Sequence, residues 1–530
     1  MISNKVIVFI KDNEMLKLVR KGGNVKFESY NTDIMDTVRK SLTFYKEGAQ
    51  FSKLVQEKLW DGYVKFYDKK NQTFPLGMTD IVTTAMDRRQ IQYQKIDFIK
   101  QFHPTLPYAE VLYEHQKLAL NEFFKYCHGF IKVPTRGGKT MIASEAMRLI
   151  LNDLPEFNVL FIVESQLLFE QAIDDISDYL KIKRNTIGRI KEGNVDIQQI
   201  TVATVQSIQA ILNSQSRIKK SAQKTGKSSE EVKLKLKSAR DLKLLLKEYL
   251  KIVNFLIVDE VHEFSNPDRT HLIHDIAYAD FYLFLSATPL KSEDLFANLN
   301  IKTVAGIMLY EIHEQVLKDR GILSQDRIML INMDHNKDKN INVNEDSGYQ
   351  EYVREVITHN DRRNTIIVNI TNICRRLNLK TLVLFVFKKH GNWIQSITGD
   401  VFLSGDDKMT KRLSNKTAYL KKKGGVMLVS DIFKKGITLS EVQVLYNAGG
   451  GLEQSNVIQK KGRALGITNT KKKALIIDFI DDYKYFNIHS LSRIQVYEES
   501  VGIDGIVIFD PEDGDFYRDI QEFLKQWFEL

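Results

Sequence analysis

The feature that most constrains this chain is a series of four apolar runs between Asn158 and Thr288: NVLFIVES, ITVATVQS, FLIVDEVH and FYLFLSATP. Each is apolar at consecutive rather than alternate positions. Each must therefore be covered on both faces, as the strands of a parallel sheet are. Every run also ends in residues capable of chemistry. Ligands of open α/β sheets bind outside the carboxyl ends of the strands, which predicts Ser165, Thr204, Asp259, Glu260, Ser286 and Thr288 along one edge.

Upstream, FIKVPTRGGKTMIASEAMRLI (Phe130 to Ile150) reads as a strand, a loop with Gly137 and Gly138, and a helix opened by Lys139 and Thr140. Ile142, Ala146, Leu149 and Ile150 share one helical face, with Ser144, Glu145 and Arg148 on the other. Glycines let backbone N–H groups approach an anion closely, and the helix N-terminus adds its positive dipole end. Lys139 suits the β/γ-phosphates of a nucleotide and the Thr140 hydroxyl suits Mg²⁺. Val133 stands where the first glycine of G-x-x-x-x-G-K-[ST] is usual. The partner motif is Asp259-Glu260-Val261-His262. At a strand end, Asp259 suits a hydrated Mg²⁺ and Glu260 suits orienting and deprotonating a water. The two motifs together point to nucleotide hydrolysis.

Before the loop, LYEHQKLALNEFF places Tyr113 and Gln116 at a helix start. An aromatic ring there suits the face of an adenine and an amide suits its edge; an ordinary capping turn is the alternative. The length of 530 residues fits about three domains. Hydrophobic residues at 43% and charged residues at 27% are globular proportions. Cys127 and Cys374 match neither a metal site nor a disulfide framework, which suits a reducing compartment. No apolar run reaches the length of a membrane span, and the start MISNKVIVFIKDNE has too short an apolar core for a signal peptide, so a cytoplasmic protein is expected. The net charge of +9 permits a polyanionic partner without requiring one.

The expected organisation is α/β: a small N-terminal α/β domain over 1–104, a parallel-sheet domain over 105–310, and a second over 311–530. In the first, VIVFI, NVKFESY and GYVKFYD read as strands and the stretch from Met35 to Tyr45 as a helix. KLWDGYVKFYDKKNQTFPLG interleaves Trp60, Tyr63, Phe66 and Tyr67 with Lys58, Lys65, Lys69 and Lys70. That suits base stacking with phosphate pairing, or equally a half-buried hairpin with a lysine face. A basic insertion at about 213–251 interrupts the first series. It reads as a helical arm on a nucleic-acid backbone or as a solvated helical hairpin. The second series is TLVLFVF, DVFLSG, VMLVS, VQVLYNAG and ALIIDFI. It carries Gly436 and Thr438 after VMLVSDIFKK, and Gln459 with Arg463 in QKKGR. An arginine in such a setting suits the transition-state charge on a phosphate.

Taken in order, YEHQ, VPTRGGKT, ESQLLFEQ, VATVQS, DEVH, SATP, SDIFKKGIT and QKKGRALG resemble the motifs of the superfamily 2 helicases, over Tyr113 to Gly466. LWDGYVKFYDKKNQTFPLG and HSLSRIQVYEE resemble, more narrowly, segments of the UvsW-type DNA helicases of tailed phages. The resemblance implies two RecA-like domains with ATP between them and a nucleic-acid strand crossing both. ATP and Mg²⁺ would be held by Tyr113, Gln116, Pro134, Thr135, Arg136, Gly137, Gly138, Lys139, Thr140, Asp259 and Gly436. Lys139, Asp259, Glu260, Gln459 and Arg463 would serve catalysis, and His262, Ser286, Thr288 and Thr438 would couple it to the strand. Trp60, Ser165, Thr204, Gln206, Phe387 and Lys388 stand where the family contacts DNA. The implied partners are forked or four-way DNA and other replication or recombination proteins, engaged by a monomer in a host bacterial cytoplasm.

Three positions depart from the family pattern. Arg136 replaces the glycine of P-T-G-x-G-K-T, Thr438 an aspartate, and Gly466 the second arginine of Q-x-x-G-R-x-x-R. The last departure predicts slow hydrolysis unless one of Lys471 to Lys473 or another residue substitutes. An RNA helicase and a nucleotide-gated DNA clamp are the alternative readings.

Overall fold

The computed structural model describes residues 15–98, 101–214, 218, 229–267, 269–270, 273, 279–288, 294–338, 341, 343, 347–430, 441–450, 466 and 471–530. They divide into two compact units, one of residues up to 133 with 138–311, the other of 134–137 with 312–530. Among the described residues no helix is long and apolar enough to cross a membrane.

The first unit begins with a four-stranded sheet, ordered Thr73–Pro75, Asn24–Glu28, Met15–Lys21, Gln92–Ile96. Met15–Lys21 alternates between half-buried and buried positions, so Leu16 and Leu18 face the helices Thr32–Ser41 and Thr79–Arg88 while the intervening residues meet solvent. Asn31 caps the first helix, its side chain accepting from the Asp33 amide at 2.9 Å. The expected strand VIVFI lies outside the described residues. GYVKFYD forms only the short strand Tyr63–Lys65, paired with Thr43–Tyr45 rather than within the four-stranded sheet.

This small sheet is fastened to the larger one. Arg20 donates to the carbonyls of Ala279 at 3.0 Å and Asp280 at 3.1 Å, at the foot of the strand Phe281–Ser286. Gly77 lies so close to the helix Leu295–Ala305 that a Cβ would sit 2.0 Å from the Lys302 carbonyl oxygen. Lys302 also pairs with Asp80 at 2.6 Å. One continuous apolar cluster runs from Leu16 and Phe27 to Phe130, Leu256 and Val304.

The larger sheet has eight strands, ordered Asn194–Asp196, Gly188–Lys191, Ile200–Thr204, Asn158–Val163, Val253–Asp259, Phe281–Ser286, His128–Lys132, Met308–Glu311. All neighbours are parallel except the first pair. The four apolar runs are thus adjacent strands, covered on both faces as expected. The helix Lys139–Asp153 corrects one expectation. Ser144 and Glu145 are buried rather than solvent-facing, because the helix Gln166–Leu180 and the segment before Glu114 cover that side. The Glu145 carboxylate is satisfied there by Arg148 at 2.7 Å, the Tyr179 hydroxyl at 2.9 Å and the Ala109 amide at 2.8 Å.

The second unit holds a seven-stranded sheet, wholly parallel, ordered Phe402–Leu403, Gly425–Ser430, Lys380–Phe385, Val444–Asn447, Lys473–Asp482, Gln325–Asp334, Ile506–Phe509. The second apolar series supplies five of these. Gln325–Asp334 and Ile506–Phe509 lie outside it, at one side of the sheet, and the former pairs over ten residues with Lys473–Asp482.

Because Gly77 meets backbone rather than a pliable side chain, Gly77→Val is expected to destabilise the first unit by at least about 1–3 kcal/mol. Chemical denaturation and limited proteolysis would read the loss as a lowered midpoint and faster cleavage ahead of residue 105.

Candidate active site

Sheet order sets the site. The strand Phe281–Ser286 lies between Val253–Asp259 and His128–Lys132, so Ser286 ends between the acidic pair and the glycine loop. The Val133 amide donates to the Ser286 carbonyl at 3.1 Å, which fixes where the loop begins. Lys139, the first residue of its helix, places Nζ 2.5 Å from Glu260 Oε1 and 4.0 Å from Asp259 Oδ1. All three side chains are nearly buried.

Burial alone would raise the Glu260 carboxyl, but the Lys139 ammonium and His262 outweigh it and hold the group well below the usual carboxylate range. For Asp259, farther from Lys139, burial wins and pushes the carboxyl up to about 6. Burial pulls Lys139 down, but the two carboxylates more than compensate and keep it protonated. Glu260 occupies a left-handed backbone conformation at φ 54°, unusual for this residue type and a local strain.

Glu260 is joined to the next strand. Ser286 Oγ donates to Glu260 Oε2 at 3.3 Å and accepts from the Thr288 amide at 3.1 Å and from His262 Nδ1 at 2.9 Å. This arrangement requires the proton of His262 to be on Nδ1. The sequence-expected residues Lys139, Asp259, Glu260, His262, Ser286 and Thr288 are therefore one cluster.

Gln116 takes the capping position weighed from the sequence and also reaches the glycine loop. Its Oε1 accepts from the Tyr113 amide at 2.9 Å, closing the first turn of the helix Glu114–Tyr126. Its Nε2 points at Gly138, where a Cβ would lie 2.0 Å away. Gly138 is left-handed at φ 88°, a conformation that favours glycine. Tyr113 is half-exposed and stacks on His115. Arg136 is also left-handed, at φ 69°, and burial lowers its guanidinium to about 10, which leaves it a cation at neutral pH. Pro134, Thr135 and Thr140 are half-buried and Gly137 is buried.

The donors fit a magnesium nucleotide. Among the described residues no cluster of three or more His, Cys, Asp or Glu side chains gathers into a metal cage. Thr140 and Asp259 offer oxygen donors of the kind that would hold a Mg²⁺ which keeps its waters and binds substrate phosphates. A loop whose conformation favours glycine, beside a helix N-terminus and a lysine, suits those phosphates.

Ser165 and Thr204 lie on the same carboxyl edge, at the ends of neighbouring parallel strands, as expected. Ser165 and Thr204 are N-caps, of the helices Gln166–Leu180 and Val205–Leu212, and Thr204 is buried with its hydroxyl on Ser207 at 2.8 Å. Gln206 is exposed beside it. Trp60 is half-buried, its indole donating to the Tyr63 carbonyl at 2.9 Å, whereas Tyr45 and Tyr63 are exposed and meet edge to face. In the second unit Phe387 is partly exposed at the start of the helix Lys388–Thr398, and Lys388 pairs with Asp406. Gly436, Thr438, Gln459 and Arg463 lie outside the described residues. Arg363 was not signalled. It is fully buried, donates to the Ala448 carbonyl at 2.6 Å and pairs with Asp481 at 3.0 Å.

Comparison with known proteins places this geometry. Residues 109–291 match the family model described as "Type III restriction enzyme, res subunit". "Putative helicase 22" of the Sulfolobus islandicus filamentous virus (isolate Iceland/Hveragerdi) is 21% identical over 400 residues, 70% of this chain and 64% of that relative. This chain thus spans just under two thirds of that relative's length. Among solved structures, S. cerevisiae Dbp5 bound to RNA and ADP BeF3 superposes with a TM-score of 0.53 at 12% identity, covering 78% of this chain and 93% of that one. UvsW of bacteriophage T4 matches at a TM-score of 0.41 and 19% identity, covering 94% and 99%. The parallel-sheet domains share the RecA-like fold.

Gly138→Ala would place a methyl group against the Gln116 amide and strain the loop. ATP affinity is expected to fall at least about tenfold, roughly 1.4 kcal/mol, in a fluorescent-nucleotide titration; unchanged affinity would refute the cradle.

Proposed function

We propose that this chain, which resembles the superfamily 2 helicases in fold and in motif order, is an ATP-driven motor that acts on branched DNA. The observation that carries the reading is the buried series Lys139, Glu260, Ser286 and His262 at the carboxyl edge of the first parallel sheet. A carboxylate held ionised at a strained strand end, next to a lysine that opens a helix, is the arrangement hydrolysis of a phosphoanhydride needs.

In this reading Lys139 neutralises the β/γ-phosphates and the backbone around Gly137 and Gly138 cradles them. Mg²⁺, held by Thr140 and Asp259, supplies charge neutralisation on the phosphate oxygens. As Lys139 turns from Glu260 to phosphate, Glu260 loses its main counter-charge. Its carboxylate becomes more basic and accepts a proton from the attacking water through Oε1, the oxygen that faces Lys139. Oε2 stays on Ser286, so a shift of Glu260 pulls on Ser286, Thr288 and His262 together. That network is our candidate for coupling turnover to grip on the strand. Gln459 and Arg463 keep the catalytic roles that the resemblance gives them, and Tyr113 and Gln116 serve the adenine end.

DNA, and branched DNA in particular, is proposed from the W-D-G segment at Trp60 to Gly62 and the helix Tyr485–Val501, the two stretches that resemble UvsW-type enzymes. Ser165, Thr204, Gln206, Phe387 and Lys388 are the proposed strand contacts. Thr204 would act through its backbone, since its hydroxyl is buried.

The test is ATP turnover without nucleic acid and with single-stranded DNA, duplex, fork, four-way junction and RNA. Greatest stimulation by fork or junction is expected, with Glu260→Gln lowering turnover about 10²–10⁴-fold while nucleotide binding persists. Strongest stimulation by RNA would replace the substrate. Tight binding of nucleotide and DNA with no turnover would replace the motor by a clamp.

A further inference from the structure

The chain's positive charge is not spread over it. Between Asn213 and Lys251 stand twelve lysines and arginines against four acids, a net of eight of the chain's nine positive charges. The other residues together are almost neutral.

The 23-residue helix Ser229–Lys251, which leads straight into the strand Val253–Asp259, holds seven of these cations and all four acids. One face of the helix is committed to the fold. Ala239, Leu246, Tyr249 and Leu250 are buried, the helix packs beside Val205–Leu212, and the Tyr249 hydroxyl donates to the Val159 carbonyl at 3.3 Å. The opposite face is solvent-exposed. Positions 233, 237, 240, 244, 247 and 251 follow one another at intervals of four and three residues, so they form a single stripe along the helix. They are Lys233, Lys237, Arg240, Leu244, Lys247 and Lys251, all exposed. Five cations thus lie in a row over about 27 Å, at roughly 1.5 Å per residue, the last of them, Lys251, paired with Glu248 at 2.8 Å.

We propose that this stripe is a binding surface for the phosphate backbone of double-stranded nucleic acid, separate from the strand-binding residues of the two parallel-sheet domains. The proposal rests on the nucleic-acid-motor reading only for the class of polyanion. A straight row of charges on a helix anchored along its other side matches a stiff backbone, about eight base pairs of duplex at roughly 3.4 Å per pair. Surfaces that hold single strands add aromatic rings for base stacking, and this stripe carries none. Surfaces that lie on membranes need a broad apolar face. Here that face is spent inside the fold, and among the side chains described Leu244 and Leu245 are the exposed large apolar ones on this helix.

The test uses the full chain with Lys233, Lys237, Arg240 and Lys247 changed together to Gln, which keeps helix propensity. A control changes four exposed lysines elsewhere, Lys181, Lys422, Lys423 and Lys525, to Gln. Binding to a blunt duplex is titrated by fluorescence anisotropy across salt concentrations, without ATP. The stripe variant is expected to flatten the slope of log affinity against log salt by about three to four, near 0.9 for each phosphate that is no longer neutralised. The control should stay near the parent slope. Basal ATP turnover without nucleic acid should be unchanged in the stripe variant. Equal flattening in both variants, or in neither, would overturn the proposal. So would binding to phosphatidylserine vesicles that is tighter than to duplex and is abolished in the stripe variant. Because the readout is binding, it stands even if the protein turns over no ATP, which would sink the motor and not the stripe.

Discussion

Everything at the active edge depends on one buried ion pair. Lys139 and Glu260 sit 2.5 Å apart, nearly out of water, and neither charge would be tolerable there without the other. Keeping them together requires a helix that begins at Lys139, a strand that ends at Asp259, and a strand between them that ends at Ser286. The order Val253–Asp259, Phe281–Ser286, His128–Lys132 provides this. The middle strand is a wire as well as a spacer. Ser286 touches Glu260 on one side, and its carbonyl holds the start of the glycine loop on the other. A sheet with the same strands in another order would separate the acid from the lysine.

Strain collects at the same place. Arg136, Gly138 and Glu260 all adopt left-handed backbone, and only one of the three is glycine. At Gly138 the left-handed backbone favours glycine, and a side chain would also have to displace the Gln116 amide. At Arg136 the conformation also favours glycine, which accounts physically for the residue the helicase pattern has there. An arginine bears a cost of about 1–2 kcal/mol for that backbone and adds a cation to the loop in return. Glu260 is held in its conformation by the Asp259 carboxylate, which accepts from its amide at 3.0 Å, and by Lys139 and Ser286. Three partners over-determine the position, which is how strained residues persist.

What could be read from the sequence follows from these constraints. Strands covered on both faces announce themselves as unbroken apolar runs, so the centre of each sheet was legible, and the residues closing each run marked the active edge. The strand Gln325–Asp334 was not legible. Asp326, Arg327 and Asn332 interrupt its apolar run, and the pairing that buries Asp326 beside Lys318 exists only in three dimensions. Glu145 misled for the same reason. A carboxylate on the polar side of an amphipathic helix reads as solvated, and only tertiary neighbours, Arg148, Tyr179 and the Ala109 amide, reveal it as interior. Trp60 carried an aromatic-and-lysine signal, yet its indole is bound to local backbone, and the exposed rings are Tyr45 and Tyr63. Local pattern reports which residues want cover. It does not report which neighbour supplies it.

The two kinds of charge in this molecule obey different physics, and that division bears on how such a machine works. The charges of the active edge are desolvated and paired within a few ångströms, so dissolved ions screen them little. The charges of the insertion helix are exposed and gathered into one row, so salt screens them fully. Placing nearly all of the net charge on an insertion, rather than around the sheet edge, leaves the pKa balance of Asp259, Glu260 and Lys139 governed by close neighbours alone. Turnover chemistry and long-range attraction of a polyanion can then vary independently. An insertion can gain or lose lysines on its exposed face without disturbing the carboxylate that must stay ionised, because the groups that set the charge of Lys139, Asp259 and Glu260 are their own close neighbours.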